Sequence, residues 1–324
     1  MTLPKVTVVG AGFVGATTAQ RIVEKNLADV VLADIVEGLP QGKALDMLES
    51  APVEGFDAKI VGTNDYADTK DSNLIVITAG LARKPGMSRD DLLQQNAGIV
   101  GGIVTEVAQY SPKALILVVT NPLDVMVYLA WKKSGFEARR VFGMAGALDS
   151  ARYAYFISEE LGCRPSEVEA MVLGGHGDEM VPVPEHTYVK VGAALRGRPG
   201  QGTHTGVPLP ELLSPQKIEA LNQRTRDGGA EIVKYLKTGS AFYAPSSCVV
   251  RMAENILKEK GEIIPSCVFC TGQFGIKDIY CGVPARFDRS GVKEIVELDL
   301  TPAEKKALQT SAEHVRENVA KLSL

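Results

Sequence analysis

The apolar positions in the first half of the chain fall in short, near-continuous runs at 5–9, 30–33, 59–61, 74–78, 115–119 and 141–144. Such runs lack the alternation of a half-exposed strand. They predict strands covered on both faces, as in a parallel sheet. Stretches with helical spacing at 13–26, 41–50, 88–110 and 122–134 lie between them and predict crossover helices. Six strands in this rhythm predict a doubly wound sheet with right-handed connections.

The rhythm changes after about residue 150. A helix is predicted over 150–161, strands at 168–173 and 186–191, long helices at 214–237 and 242–259, and strands at 263–270, 278–283 and 292–298. Thr301, Pro302 and Glu304 open a last helix as N-cap, first helical position and capping box. This half reads as an α+β unit, dividing the chain into 1–148 and 149–324. No internal repeat is visible. The one biased patch, 196–206, is rich in Gly, Arg and Pro and reads as a surface loop.

At 45% hydrophobic and 23% charged residues, the chain of 324 has ample material for a core. A net charge of −4 argues against a nucleic-acid partner. The first residues show no secretory pattern, and no apolar stretch approaches the ~20 residues of a membrane span. The expected compartment is the cytoplasm. Five cysteines, at 163, 248, 267, 270 and 281, are too scattered for a disulfide framework. Cys267 and Cys270 lie three apart in a predicted strand, so their thiols should face opposite ways rather than share a metal. No metal site is expected.

Residues 10–15 read Gly-Ala-Gly-Phe-Val-Gly between a predicted strand and helix. In this G-x-G-x-x-G pattern Gly10 permits a tight turn, Gly12 lets the backbone approach a pyrophosphate, and Gly15 allows helix-on-sheet packing. The helix N-terminus offers free N–H groups and partial positive charge to phosphates. Asp34, at the end of the second strand, stands where a carboxylate accepts from a ribose 2′-hydroxyl and repels a 2′-phosphate. The expectation is an N-terminal Rossmann sheet binding NAD.

Five further segments carry polar residues that a fold alone does not require. Residues 81–91 place Arg83, Lys84 and Arg89 on a Pro/Gly-containing loop, an arrangement suited to an anion lid. Ser88 can cap the following helix, and Asp90 and Asp91 suit its positive end. Asn121-Pro122 reads first as a helix cap, with Pro122 in the first helical position, though it also stands at the carboxyl end of a strand, where ligands bind in such sheets. Asp149 and Arg152 share a helix face, either as a surface ion pair or as site residues. His176 is set among Gly174, Gly175 and Gly177, a turn suited to a proton carrier. Residues 239–245 form a small-residue start to a helix, which core packing explains equally well.

GAGFVG, RKPGMSRDDL, VVTNPLDVM, LDSAR, GGHGDEMVP and KTGSAFYAP, in this order, resemble the lactate/malate dehydrogenase family, in particular its bacterial lactate-dehydrogenase-like malate dehydrogenase branch. The resemblance spans about residues 4–320. It implies NAD-dependent interconversion of malate and oxaloacetate, or of lactate or another 2-hydroxy acid. It implies His176 as acid/base held by Asp149, Arg152 as clamp for the α-carboxylate, and Arg89 as a lid group polarising the carbonyl. Asn121 would meet substrate or cofactor, Asn96 the cofactor, and Arg83 the second carboxylate of oxaloacetate, where lactate enzymes carry glutamine. A homo-oligomer, tetramer more often than dimer, is also implied. Ala82 departs from the branch's usual proline, and 194–206 resembles an insertion.

Overall fold

A computed structural model describes residues 3–81, 87–190 and 206–322. Six parallel strands form its centre: β1 (Lys5–Val9), β2 (Asp29–Ala33), β3 (Ile60–Thr63), β4 (Leu74–Ile77), β5 (Leu115–Val118) and β6 (Val141–Gly143). Their spatial order is β6-β5-β4-β1-β2-β3, so the winding reverses between β4 and β1. Ligands of open α/β sheets bind outside the carboxyl ends of the strands at such a reversal. β1, β4 and β5 are buried almost throughout, which is why their sequences lack polar alternation.

Helices α1 (Phe13–Glu24), α2 (Leu39–Glu54), α3 (Arg89–Tyr110) and α4 (Leu123–Ser134) connect these strands, and α5 (Gly146–Leu161) follows β6. Ile22 and Val23 of α1, Val100, Val104 and Val107 of α3, and Met126 and Val127 of α4 pack on the strands in one continuous core. Each such side chain contributes roughly 1.5–3 kcal/mol of burial free energy. α3 begins as expected: Ser88 Oγ accepts from Asp91 N at 3.0 Å, and Asp91 Oδ2 accepts from Ser88 N at 3.1 Å.

The later elements are the short strands β7 (Val168–Glu169), β8 (Val172–Gly174), β9 (Met180–Pro182), β10 (Tyr188–Val189) and β11 (Val207–Pro208), then α6 (Pro215–Leu236) and α7 (Tyr243–Leu257). β12 (Ile263–Thr271), β13 (Lys277–Asp288), β14 (Gly291–Ile295) and α8 (Pro302–Val319) complete the chain. β12 joins the parallel sheet antiparallel to β6 through Cys267 and Gly143, giving nine strands in one sheet. A smaller cluster, including Tyr153, Ile157, Val172, Leu209 and Leu221, packs α5 against α6 and β8. The sequence boundary at 148/149 falls in the first turn of α5.

Four expectations change. The strand expected at 168–173 is broken into β7 and β8. The strand expected at 186–191 shrinks to β10, because Pro184 starts a 3-10 turn just before it. β13 runs well past 283: Pro284 faces Pro265 across the ladder, so the prolines that interrupt the sequence pattern oppose each other without leaving a stranded donor. Asn121 does not cap α4; Pro122 occupies the N-cap position and no side chain caps that helix. The capping box of α8 forms as expected, with Thr301 Oγ1 accepting from Glu304 N and Glu304 Oε2 accepting from Thr301 N.

Candidate active site

The glycine-rich turn closes over the carboxyl ends of β1 and β4. Gly10 has φ +104°, and a Cβ there would lie 2.7 Å from Ala79 N. A Cβ on Gly15 would lie 1.8 Å from Gly10 O, so the protein itself demands glycine at both positions. Gly12 differs: a Cβ there would meet nothing among the described residues within 4 Å. Protein packing does not explain that glycine, whereas close approach of a ligand to the backbone does. This is the fit expected for a dinucleotide pyrophosphate at the N-terminus of α1.

Asp34 folds back onto this turn. Its Oδ2 accepts from Ala11 N at 2.6 Å and its Oδ1 from Val36 N at 2.9 Å. Each carboxylate oxygen can still accept a second hydrogen bond, so a ribose hydroxyl can be served as well. Lys43, which sequence reasoning passed over, donates to Ala11 O at 2.6 Å and brings a cation to the same turn. Only its position inside α2 carried it there; no motif marked it.

Asn96 is fully buried. Its Oδ1 accepts from Leu81 N, and its Nδ2 donates to Leu81 O and to Asn121 O at 2.6 Å. It therefore ties the segment after β4 to the segment after β5. Asn121 itself is exposed at the carboxyl end of β5, and its side chain makes no hydrogen bond among the described residues. Arg83 lies outside the described residues. Arg89 takes the first position of α3.

α5 and the β8–β9 turn supply the remaining groups. His176 Nδ1 lies 2.9 Å from Asp149 Oδ2, with the histidine side chain 13% and the carboxylate 2% exposed. Facing an acceptor, Nδ1 must carry the hydrogen, which leaves Nε2 free to exchange a proton. Burial alone would push the imidazole down. The charge and hydrogen bond of Asp149 outweigh it, aided by Asp124 and opposed by Arg152, and the net shift is upward. The ring is better covered than its glycine neighbours suggest, because Asp124 from α4 and Ser311 from α8 close on the turn's main chain.

Arg152 Nη1 lies 3.5 Å from Asp149 Oδ1. This is not a surface pair: Arg152 Nε and Asp149 Oδ1 are both buried, and neither makes a hydrogen bond among the described residues. A buried guanidinium with an unused donor is a fork prepared for a planar anion such as a carboxylate. α6 makes room for it, since a Cβ on Gly228 would lie 3.2 Å from Arg152 Cδ. Two adjacent glycines inside a helix of 22 residues were a legible signal that sequence reasoning missed.

Among the described residues, no group of three His, Cys, Asp or Glu is gathered as for a metal ion. No helix among them is long and apolar enough to cross a membrane.

A Rossmann sheet with this cradle and a buried Asp–His–Arg set is the frame of a nicotinamide-dependent oxidoreductase. Residues 4–143 match the family profile described as lactate/malate dehydrogenase, NAD binding domain, and residues 146–323 match that of its alpha/beta C-terminal domain. The chain belongs to the lactate/malate dehydrogenase family. It is 53% identical over 320 residues to a malate dehydrogenase of Pelodictyon phaeoclathratiforme, covering 98% of each chain. The malate dehydrogenase structure from Salinibacter ruber superposes with a TM-score of 0.89 at 46% identity, covering 98% of this chain and 97% of that one. A Cryptosporidium parvum lactate dehydrogenase complexed with lactic acid and nicotinamide adenine dinucleotide gives 0.91 at 41% identity, covering 99% and 98%.

Proposed function

We propose that the chain is an NAD-dependent malate dehydrogenase, interconverting (S)-malate and oxaloacetate. The observation that carries this reading is the buried Asp149–His176 pair beside Arg152, whose Nε has no hydrogen-bond partner among the described residues. His176 is the acid/base. In reduction its protonated Nε2 gives a proton to the carbonyl oxygen as that oxygen becomes hydroxyl; in oxidation it takes the proton back. Asp149 fixes the tautomer and stabilises the imidazolium. Arg152 binds the α-carboxylate through its unused donors. Asn121 meets polar groups of substrate or cofactor at the carboxyl end of β5. Arg89, at the first position of α3, acts on the substrate carbonyl, and Arg83, before that helix, on the second carboxylate.

Gly10, Gly12, Gly15 and the N-terminus of α1 take the pyrophosphate, Asp34 the adenosine ribose. Asn96 serves the cofactor by fixing the two segments that flank it. NAD, when bound, supplies the two-electron acceptor for the hydride on C2 of malate. In this reading 1–148 is the cofactor half and 149–324 the substrate half. A cytoplasmic homo-oligomer, tetramer rather than dimer, is part of the reading; Leu45 at 58% and Val53 at 85% exposure on α2 support self-association.

The test follows NADH absorbance with oxaloacetate and with pyruvate at equal low concentration. A preference for oxaloacetate that His176→Ala abolishes is the expected result. A preference for pyruvate would make the chain a lactate dehydrogenase instead, an activity that the fold of the Cryptosporidium relative accommodates equally well.

A further inference from the structure

Asp124 lies in the first turn of α4, three residues after Asn121, in the apolar run Leu-Asp-Val-Met-Val. It is 6% exposed. Its Oδ2 accepts from the His176 main-chain N–H at 2.8 Å, whereas its Oδ1 is buried and makes no hydrogen bond among the described residues. A buried carboxylate is expensive unless its charge is answered. Besides that N–H, three things answer it here: the partial positive charge at the start of α4, the Cys267 thiol, and the imidazole of His176 when protonated.

We propose that Asp124 is a positioning residue for His176: it fixes the histidine's main chain from α4 and places a second negative charge beside the ring. The inference rests on His176 being the acid/base. Ser311 of α8 completes the fastening one residue earlier, accepting from Gly175 N at 2.8 Å and donating to Glu179 O at 2.7 Å. The turn is therefore clamped through consecutive N–H groups by two helices.

The charged and titratable groups around the pair are few. α5 presents Asp149 and Arg152 to the imidazole. α8 contributes the neutral Ser311, with the ion pair of His314 and Glu179 at the exposed rim. β12 sets the Cys267 thiol against Asp124, and Cys281 of β13 lies close enough to feel its charge. Burial pushes the Asp124 carboxyl up, while the His176 N–H, the Cys267 thiol and the His176 imidazole pull it down; the net shift is upward. Burial likewise pushes both thiols well above their ordinary range, so neither is a competing anion.

Asp124→Asn keeps an oxygen acceptor for the His176 N–H at nearly the same volume and removes only the charge. Asp124→Ala removes both. The chain has four histidines, so the ring-proton NMR signal of His176 is assigned by its absence in His176→Ala. In ligand-free Asp124→Asn we expect the His176 pKa to fall. The alkaline limb of kcat/KM for oxaloacetate reduction should move to lower pH by the same amount. Asp124→Ala should in addition lose about tenfold or more in kcat at every pH, because the ring is misplaced. If Asp124→Asn does not fold, Asp124→Ser, which keeps a neutral oxygen, is judged by the same two measurements. An NMR pKa and a rate profile that both stay put would overturn the proposal and leave Asp124 a structural strut. An NMR pKa that falls while the rate profile stays would uphold the placement of Asp124 and sink the acid/base reading of His176.

Discussion

His176 Nδ1 and Asp149 Oδ2 are 2.9 Å apart, and the carboxylate is almost wholly removed from water. That single contact does two jobs. It selects the tautomer that leaves Nε2 facing away from Asp149, and it raises the proton affinity that burial alone would lower. Asp149→Asn should lower kcat by about a hundredfold or more, the usual scale for a misassigned proton carrier. The sign of the pH effect follows. Oxaloacetate reduction needs the protonated ring, so it proceeds below the His176 pKa and is lost as pH rises through it. Without the carboxylate that loss moves to lower pH. Stability has the same sense: the pair stabilises the fold fully below histidine's ordinary pKa, and the contribution fades as pH rises through the raised value. A pH–rate profile that kept its alkaline limb in the variant would show that Asp149 does not set the proton affinity.

Gly12 and Gly15 are both glycines of one motif, yet the structure gives them different reasons. A Cβ at 15 would strike Gly10 O at 1.8 Å and Thr78 Oγ1 at 2.7 Å, whereas one at 12 would meet nothing among the described residues within 4 Å. Gly15→Ala should therefore cost the fold roughly 1–3 kcal/mol or more through overpacking. Gly12→Ala should change stability by less than about 1 kcal/mol, since it exchanges one weak N-cap for a weaker one. Its effect should instead appear as at least a tenfold loss of NADH affinity. Thermal melts and fluorescence titration with NADH on both variants separate the two. An unchanged NADH affinity in Gly12→Ala would mean that no ligand approaches that backbone.

Much of this was legible in the sequence because burial and chemistry leave local marks. Continuous apolar runs marked β1, β4 and β5, because helices cover both faces of those strands. Glycines around His176 marked a turn; Gly174 and Gly177 have φ +81° and +104°, and a Cβ on Gly174 would lie 2.8 Å from Ser311 Oγ. What stayed hidden depends on contacts far apart in sequence. Asp124 reaches His176 across 52 residues, and Ser311 reaches Gly175 across 136. Nothing near Ser311 distinguishes it from an ordinary helix serine. Asp124 did carry a mark, a carboxylate inside an apolar helical run, and the neighbouring Asn-Pro drew attention away from it. Asn121 misled in the other direction: its residue type suits a cap, but Pro122 occupies that position.

Arg152 should not tolerate replacement by the other cation. Its side chain is 12% exposed, its Nε lacks a partner among the described residues, and glycine at 228 leaves room for its stem. Arg152→Lys keeps the charge but replaces a planar fork with a point donor. Losing one charge-assisted hydrogen bond, about 1.5–3 kcal/mol, predicts a ten- to hundredfold fall in kcat/KM for oxaloacetate, mostly through KM. Steady-state kinetics check it, with NADH affinity as control. A normal KM in Arg152→Lys would remove this residue as the carboxylate clamp.

Selection between dicarboxylate and monocarboxylate substrates is proposed for Arg83, which lies outside the described residues; the proposal rests on the family resemblance together with charge. Oxaloacetate brings a second carboxylate that an arginine can pair. Pyruvate brings a methyl group, which would leave that cation unanswered in a closed site at a cost of several kcal/mol. Arg83→Gln removes both the attraction and the penalty. The ratio of kcat/KM for oxaloacetate to that for pyruvate should therefore fall by about a hundredfold or more, with the two values moving in opposite directions. Asp149, His176 and Arg152 are untouched, so the proton affinity of His176 should hold steady in the same variant. Kinetics with both keto acids decide the matter. A ratio that survives the substitution would place the selector elsewhere, and a fall in both values together would mark Arg83 as a residue needed for loop closure over any substrate.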